Sequence, residues 1–415
     1  MTPVGTIASG VTAQVDERGT VAPVDARWTL GWWIGADDRW HRAEREIAVR
    51  QQLVDDTPVV ETAMRVPGGD IVQRVFGVRA GDDDAVVVSF ENTSSVPVAL
   101  TVVLDGVRKL GVDGAVVHVD RRPVLWFEKA PVRFAAGKDV EAVAAVVTTG
   151  DAGDAPVTLR RGAAAFVLPL AHRTTTSVVI GSSAPQGIPT VEQVVRGWKA
   201  QSDRGMRVVV PDAQLESTID AGRRLALLAQ DDALVLARYG YRDEAVAVAE
   251  RQAPDIAAAA DRLARSRTPD PVALRDAAEV LALAGEEQAA EIARRAAASS
   301  ADAAASPDRA PRAELLDIRD RLLRETDHGV AVCNVVPDDW LGQGIEVHDA
   351  PTRFGPVSFA VRWHGDRPAL LWDAPEGIRI TAPGLDATWS SDKPKGDALL
   401  SPVAPPGTPV SLRRG

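Results

Sequence analysis

The chain has 415 residues, 45% of them apolar and 25% charged, and carries a net charge of −11. That length suits two or three globular domains with large cores, and the acidic balance, with the few basic clusters being scattered pairs such as Arg121-Arg122 and Arg223-Arg224, argues against a nucleic-acid partner. A single cysteine, Cys333, excludes an internal disulfide; no apolar run of about 18 residues suits a membrane span, and no basic start followed by an apolar stretch marks secretion, so a cytoplasmic location with no membrane partner is expected.

Residues 1–185 read as strands. In 58–66, Val59, Glu61, Ala63 and Arg65 alternate with Val60, Thr62, Met64 and Val66 as the two faces of a strand, Pro67-Gly68-Gly69-Asp70 form a turn, and Ile71 to Val78 return. Residues 84–90 and 98–104 make a second hairpin around a loop, Asn92 to Ser95, rich in side chains that bond their own backbone. Further strands are expected at 115–119, 123–128, 141–148, 164–169 and 175–180. Short strands with turn signals at this spacing predict an antiparallel sandwich, larger than an immunoglobulin-type domain of about 100 residues.

Ala184 to Pro189 is a linker with two prolines and a glycine. Thr190 then reads as an N-cap with Gln193 as its capping-box partner. Residues 190–327 are Ala-dense and expected to be helical. Within them, 236–251 and 281–295 repeat one pattern: a helix end, a glycine, an acidic stretch and an Ala-rich helix, with Gly240 and Gly285 spaced 45 positions apart. That period is the size of a helical hairpin and predicts α/α stacking. Residues 298–312 are small, polar and Pro-containing, a loop, and a last helix is expected at 312–326.

Residues 328–415 return to strands. Val357, Phe359, Val361 and Trp363 alternate with polar or small neighbours, residues 364–368 turn, and Ala369 to Trp372 run back, giving a β-hairpin. The tail is expected to end in a short strand at Val410 to Leu412. The fold class is thus multidomain β plus α: an antiparallel β-sandwich (1–185), an α/α-hairpin domain (190–327, with the loop at 298–312) and a small C-terminal β domain (328–415).

Three places carry chemistry-bearing residues. The segment 31–41 packs Trp32, Trp33, Asp37, Asp38, Trp40 and His41 together. Carboxylates accept sugar hydroxyls and Trp offers a stacking face, so this is a carbohydrate-binding signature; the competing reading is a turn between strands whose Trp rings pack inward. Glu346 and His348 share one face of an extended segment, but the pair lacks the ligand count of a closed metal site, and no metal or cofactor is expected. Trp340, Trp363, His364 and Trp372 are expected to converge at one end of the C-terminal hairpin. Cys333 has no activating neighbour, and no nucleophile elbow, P-loop or zincin motif occurs.

Several stretches resemble actinobacterial members of the glycoside hydrolases with an (α/α)-toroid catalytic domain, the glucoamylase-like, glycogen-debranching-like and disaccharide phosphorylase-like proteins. They are GWWIGADDRWH (31–41), VVETAMRVPGGD (59–70), VVVSFENTSSVPVALTVVL (86–104), RFGPVSFAVRWHGDRPALLWD (353–373) and ITAPGLDATW (380–389). The resemblance covers both β regions and little of the helical one, and it implies a carbohydrate-active ancestry. A six-hairpin toroid at the observed period would need roughly 270 residues, against about 138 between 190 and 327. Such enzymes need two facing carboxylates, yet the acids here sit at helix ends, where capping explains them.

The expectation is therefore a shortened, degenerate glycoside hydrolase homologue that binds a glycan or a sugar-metabolising partner enzyme without hydrolysis. One alternative is an active glycosidase whose cleft is completed by the sandwich or another subunit, with Asp231, Asp232, Glu244 or Glu346 as the acids. Another is a non-enzymatic assembly protein that docks a partner, as an oligomer or hetero-complex, on an open helical face.

Overall fold

The structure is a computed structural model, and it describes residues 1–80, 83–150, 161–184, 186–267, 269–300 and 313–403. The chain divides into two compact units, Met1–Ala200 and Gln201–Gly415.

The first unit contains β1 (Thr2–Thr6), β2 (Gly10–Val15), β3 (Val21–Pro23), β4 (Thr29–Gly35), β5 (Trp40–Arg42), β6 (Val49–Leu53), β7 (Val60–Val66), β8 (Gly69–Ala80), β9 (Asp83–Asn92), β10 (Val98–Val107), β11 (Leu110–Asp113), β12 (Val116–Val119), β13 (Arg122–Phe127), β14 (Arg133–Gly137), the helix α1 (Val140–Thr149), β15 (Gly162–Leu170), β16 (Thr175–Ile180) and the helix α2 (Val191–Ser202). One sheet runs β1-β2-β3-β4-β10-β15-β14, with β5 on β4. The other runs β11-β12-β13-β16-β9-β8-β7-β6. Leu30, Trp32, Leu100, Val102 and Phe166 of the first meet Val60, Met64, Val75, Val88 and Val178 of the second in one buried core. Strand alternation supplies this core, since every second side chain points inward.

Each outer face carries a helix. Residues 141–148, expected as a strand, are α1. Asp139 accepts the Ala142 N–H at 2.8 Å as an N-cap, and Gly150 ends the helix in a left-handed conformation. Val143, Ala144 and Val147 line one face and pack on Ala135, Ala163 and Ala165 of the first sheet. The valines suggest a strand, but capped ends and an apolar sheet to cover outweigh that preference. On the second sheet, Val191, Val194 and Val195 of α2 pack over Val59, Phe76, Val87, Trp126 and Val179. The capping box forms as expected: Thr190 N–H donates to Gln193 Oε1 at 2.8 Å, and Gln193 N–H to Thr190 Oγ1 at 3.3 Å.

The second unit contains β17 (Arg207–Val209), α3 (Ala213–Ala229), α4 (Ala233–Arg238), α5 (Arg242–Ala264), α6 (Pro271–Leu283), α7 (Glu287–Ser299), α8 (Glu314–Leu322), β18 (Leu323–Thr326), β19 (Gly329–Val332), β20 (Ile345–Ala350), β21 (Val357–His364), β22 (Arg367–Asp373), β23 (Arg379–Ala382), β24 (Asp386–Ser391) and β25 (Lys395–Leu399). The stretch 190–327 is thus not helical throughout. Arg207–Val209 pair with Glu346–His348, and the helix expected over 312–326 stops at Leu322, after which Leu323–Thr326 pair with β19. Sheet pairing recruits short segments that no local periodicity marks.

The 45-residue repeat is a repeat of structure. Tyr241 N–H bonds to the Leu236 carbonyl and Glu286 N–H to the Leu281 carbonyl, the six-to-one bond of a helix closed by a left-handed glycine. Ala233 and Ala278, Leu236 and Leu281, and Ala245 and Ala290 are matched buried pairs. The alanines at these positions let adjacent helices approach closely. A half-buried charge, Arg238, sits among Asp276, Glu279 and Asp320 at 3.4, 2.7 and 3.6 Å.

The C-terminal strands form a five-stranded sheet, β17-β20-β21-β22-β25, and a four-stranded sheet, β18-β19-β23-β24. In the latter, β19 and β23 run parallel. The expected hairpin is β21 and β22, paired from Ser358 with Asp373 to His364 with Arg367, so only Gly365 and Asp366 turn. The expected strand at Val410–Leu412 and most of the expected loop 298–312 lie outside the described residues.

Candidate functional site

The segment 31–41 holds its aromatics inside. Trp32 is 1% exposed and Trp33 2%. Successive residues of β4 face opposite sides, so Trp32 lies between the sheets and Trp33 under α1. Trp32 Nε1 donates to the Arg18 carbonyl at 3.2 Å. Trp33 Nε1 donates to the Glu44 carboxylate at 3.2 Å, and the Arg42 guanidinium lies 4.7 Å above its ring. Trp40 is half-buried against Gly35, and Asp37 and Asp38 are exposed. The buried His41 places Nε2 2.9 Å from Asp38 Oδ1 and Nδ1 3.2 Å from Glu46 Oε1. The His41 bond holds the Asp38 carboxyl below its usual range, and the Arg39 bond does the same for Glu46. Two of the three indoles that gave this segment its stacking faces are packed in cores.

Three of the four candidate acids have side-chain partners. Asp232 caps α4 by accepting the Val235 N–H at 2.9 Å. Asp231 is exposed, and its carbonyl accepts from Gln252 at 2.7 Å. Glu244, in the first turn of α5, pairs with Arg204. Glu346 and His348 do share a face, with Oε2 and Nε2 3.1 Å apart, and Arg362 binds the other Glu346 oxygen. Those two bonds, His348 first, lower the Glu346 pKa. Among the described residues, no three His, Cys, Asp or Glu side chains gather as a metal set.

The expected convergence of Trp340, Trp363, His364 and Trp372 is not formed. Trp363 pairs beside the hairpin turn with Pro368, whereas Trp372 pairs with Phe359, four residues or about 13 Å along the strand. Trp363 Nε1 donates to the Gln343 carbonyl at 2.8 Å, Trp372 packs edge-on against Trp389, and Trp340 is buried. His364 is exposed at the turn.

A concavity lies elsewhere, on the outer face of the second sheet. Three rows of side chains cross this face. The first, Trp126, Val179, Val87 and Phe76, is apolar and sits under α2. The second, two residues further along each strand, is polar: Glu128, Ser177, Ser89, Arg74 and Glu61. Its members face outward because their strand neighbours Val178, Val88, Val75 and Val60 face the core. The third row includes Thr175 and Glu91.

A cleft of about 810 Å³ lies over the polar row, walled by Ile188 to Glu192. Its volume falls within the range of small-ligand sites. Arg74 is the hub: Nε donates to Glu61 at 2.8 Å and Nη1 to Glu91 at 2.6 Å. Burial works against the Arg74 charge, but these carboxylates outweigh it and raise its pKa. Glu128 accepts the Ser177 N–H at 3.2 Å, and Trp126 Nε1 donates to the Gly181 carbonyl at 3.1 Å. A hydrogen bond with Thr190 holds the Glu192 carboxyl below its usual range. The alternation within 84–92 marks Ser89 and Glu91 as outward neighbours, but the row itself depends on pairing between strands distant in sequence.

No family profile and no curated protein sequence matches the chain. Solved structures of glycoside hydrolase type are similar to it at low identity. A bacterial glucoamylase complexed with acarbose is 9% identical, with a TM-score of 0.43 over 79% of this chain and 68% of the other. A family GH92 α-mannosidase from Bacteroides thetaiotaomicron is 8% identical, with a TM-score of 0.28 over 71% and 63%. A putative kojibiose phosphorylase from the human microbiome is 10% identical, with a TM-score of 0.26 over 56% and 39%. The chain thus spans under two thirds of the last two. At these scores the likenesses decide neither fold nor activity.

Proposed function

We propose that the protein is a carbohydrate-binding, carbohydrate-active-like protein that holds a glycan without hydrolysing it, with the cleft on the outer face of the second sheet as its site. The observation that carries this reading is the polar row of Ser89, Arg74, Ser177 and Glu128 lying beside Trp126 and Ile188 in one cleft. A sugar presents hydroxyls that both donate and accept around apolar C–H faces. Carboxylates accept from such hydroxyls, a guanidinium donates to them, and serines do either, while Trp and Ile cover the apolar faces.

Retention without hydrolysis is favoured by the state of the sequence-predicted acids. Asp232 is a helix cap, and Glu244 and Glu346 are ion-paired, so these three carboxylates are committed to structural partners and only Asp231 of the four is exposed, whereas hydrolysis needs two facing carboxylates. The test is calorimetric titration of neutral oligosaccharides together with a reducing-end assay on each. Saturable binding without released reducing ends is expected, and Glu91→Ala should weaken it roughly ten-fold by removing a charged acceptor. Turnover of any bound sugar overturns the non-hydrolytic reading, and binding unaffected by Glu91→Ala moves the site elsewhere.

A further inference from the structure

The shape and charge of the cleft point to a class of glycan, on the reading of that cleft as a sugar site. We infer that it takes an uncharged linear chain laid across the strands, with several sugar units in contact, and not a monosaccharide or a chain end held alone. Two observations lead there.

The first is direction. Glu128, Ser177, Ser89 and Arg74 belong to β13 and its end, β16, β9 and β8, and are direct cross-strand neighbours. The polar floor therefore runs perpendicular to the strands for three steps, about 14 Å. Its wall runs the same way. The segment Ile188 to Glu192 lines the cleft, α2 continues over Phe76 and Val59, and Lys199 near its end reaches Asp55 beyond β6 at 2.7 Å. Floor and wall are parallel, so the cleft is a trough. A single hexose would contact only one or two of the floor side chains, leaving the others solvated. The volume of about 810 Å³ also exceeds what one ring fills.

The second is charge. Glu91, Glu128 and Glu192 line the trough with Arg74 as the one basic residue among them, and Arg74 is already held by Glu61 and Glu91. A uronate or sulfated chain would bring its anions against this excess of carboxylates, which repel it, whereas neutral hydroxyls find acceptors.

The experiment is a length ladder. Glucose and its α-1,4- and β-1,4-linked oligomers up to the hexamer, with oligogalacturonates as the anionic series, are titrated into the 415-residue chain. Affinity is expected to rise at least ten-fold from monomer to tetramer in one neutral series and then level off, with no binding of the anionic series. Glu128→Gln, an exposed substitution at one end of the floor, should lower affinity for the tetramer several-fold and leave the disaccharide unchanged. Equal affinity at every length, or tighter binding of the uronates, overturns the linear neutral-chain inference while leaving a sugar site in place. A Glu128→Gln loss equal at all lengths overturns the trough assignment. Absence of binding in all three series removes the sugar reading itself.

Discussion

Gly240 and Gly285 close α4 and α6 with the same left-handed backbone, at φ of 98° and 78°. Their surroundings differ. A Cβ on Gly240 would meet Gly205 Cα at 3.1 Å, whereas one on Gly285 has open space within 4 Å. Both Gly→Ala changes should destabilise through the backbone alone, by about 1 kcal/mol. Gly240→Ala should cost more than Gly285→Ala, because backbone must also move. Urea unfolding of the two variants decides this, and equal midpoints would show that the contact with Gly205 is compliant.

Arg238 is predicted to be the costliest single truncation in the helical region. Its guanidinium holds three carboxylates, which together raise its pKa against the cost of burial. Arg238→Met removes the guanidinium that these acids share and should destabilise by about 3 kcal/mol. Pairing the change with Glu279→Gln should recover part of the loss, which a double-mutant cycle measures. Additive losses would mean the pair is not coupled.

Acid should weaken the C-terminal sheets through Asp386. Hydrogen bonds from Ser401 and Thr388 hold this carboxyl far below the ordinary Asp value. A folded-state pKa below the unfolded one gives stability that is present above the unfolded value, near pH 4, and is lost as pH falls toward the folded value. The urea midpoint should therefore drop below about pH 4, and Asp386→Asn should be less stable at pH 7 with a shallower acid limb. An unchanged limb would assign the acid sensitivity to other carboxylates.

Cys333 should be unreactive in the native chain. Burial pushes its thiol up to about 12, and the side chain is 1% exposed, so little thiolate is present at neutral pH. A disulfide reagent should label it only after denaturant is added. Stoichiometric labelling without denaturant would reveal local opening around Val332 to Asn334.

The two hairpins of the first unit, the Thr190–Gln193 capping box and the Gly240–Gly285 period were legible in the sequence because each depends on neighbours a few positions apart. What escaped was decided at long range. Val140–Thr149 is richer in β-branched residues than the strands on either side of it in sequence, and only the apolar outer sheet makes a helix the better cover. Trp32 and Trp33 offered stacking faces beside Asp37 and Asp38 in sequence, but one faces the sandwich core and α1 covers the other. The trough was hidden for the same reason: Glu128, Ser177, Ser89 and Arg74 span the sequence from 74 to 177 and become a floor only when the strands are in register.

The helix α2 also sets where this sandwich can be cut. The lane beneath it, Val59, Phe76, Val87, Trp126 and Val179, would meet water if the chain ended at 185, giving a contiguous greasy stripe of the kind that glues molecules together. A fragment of residues 1–185 should therefore oligomerise or precipitate, and one of residues 1–202 should remain dispersed. The second unit begins in sequence only after the first has been sealed.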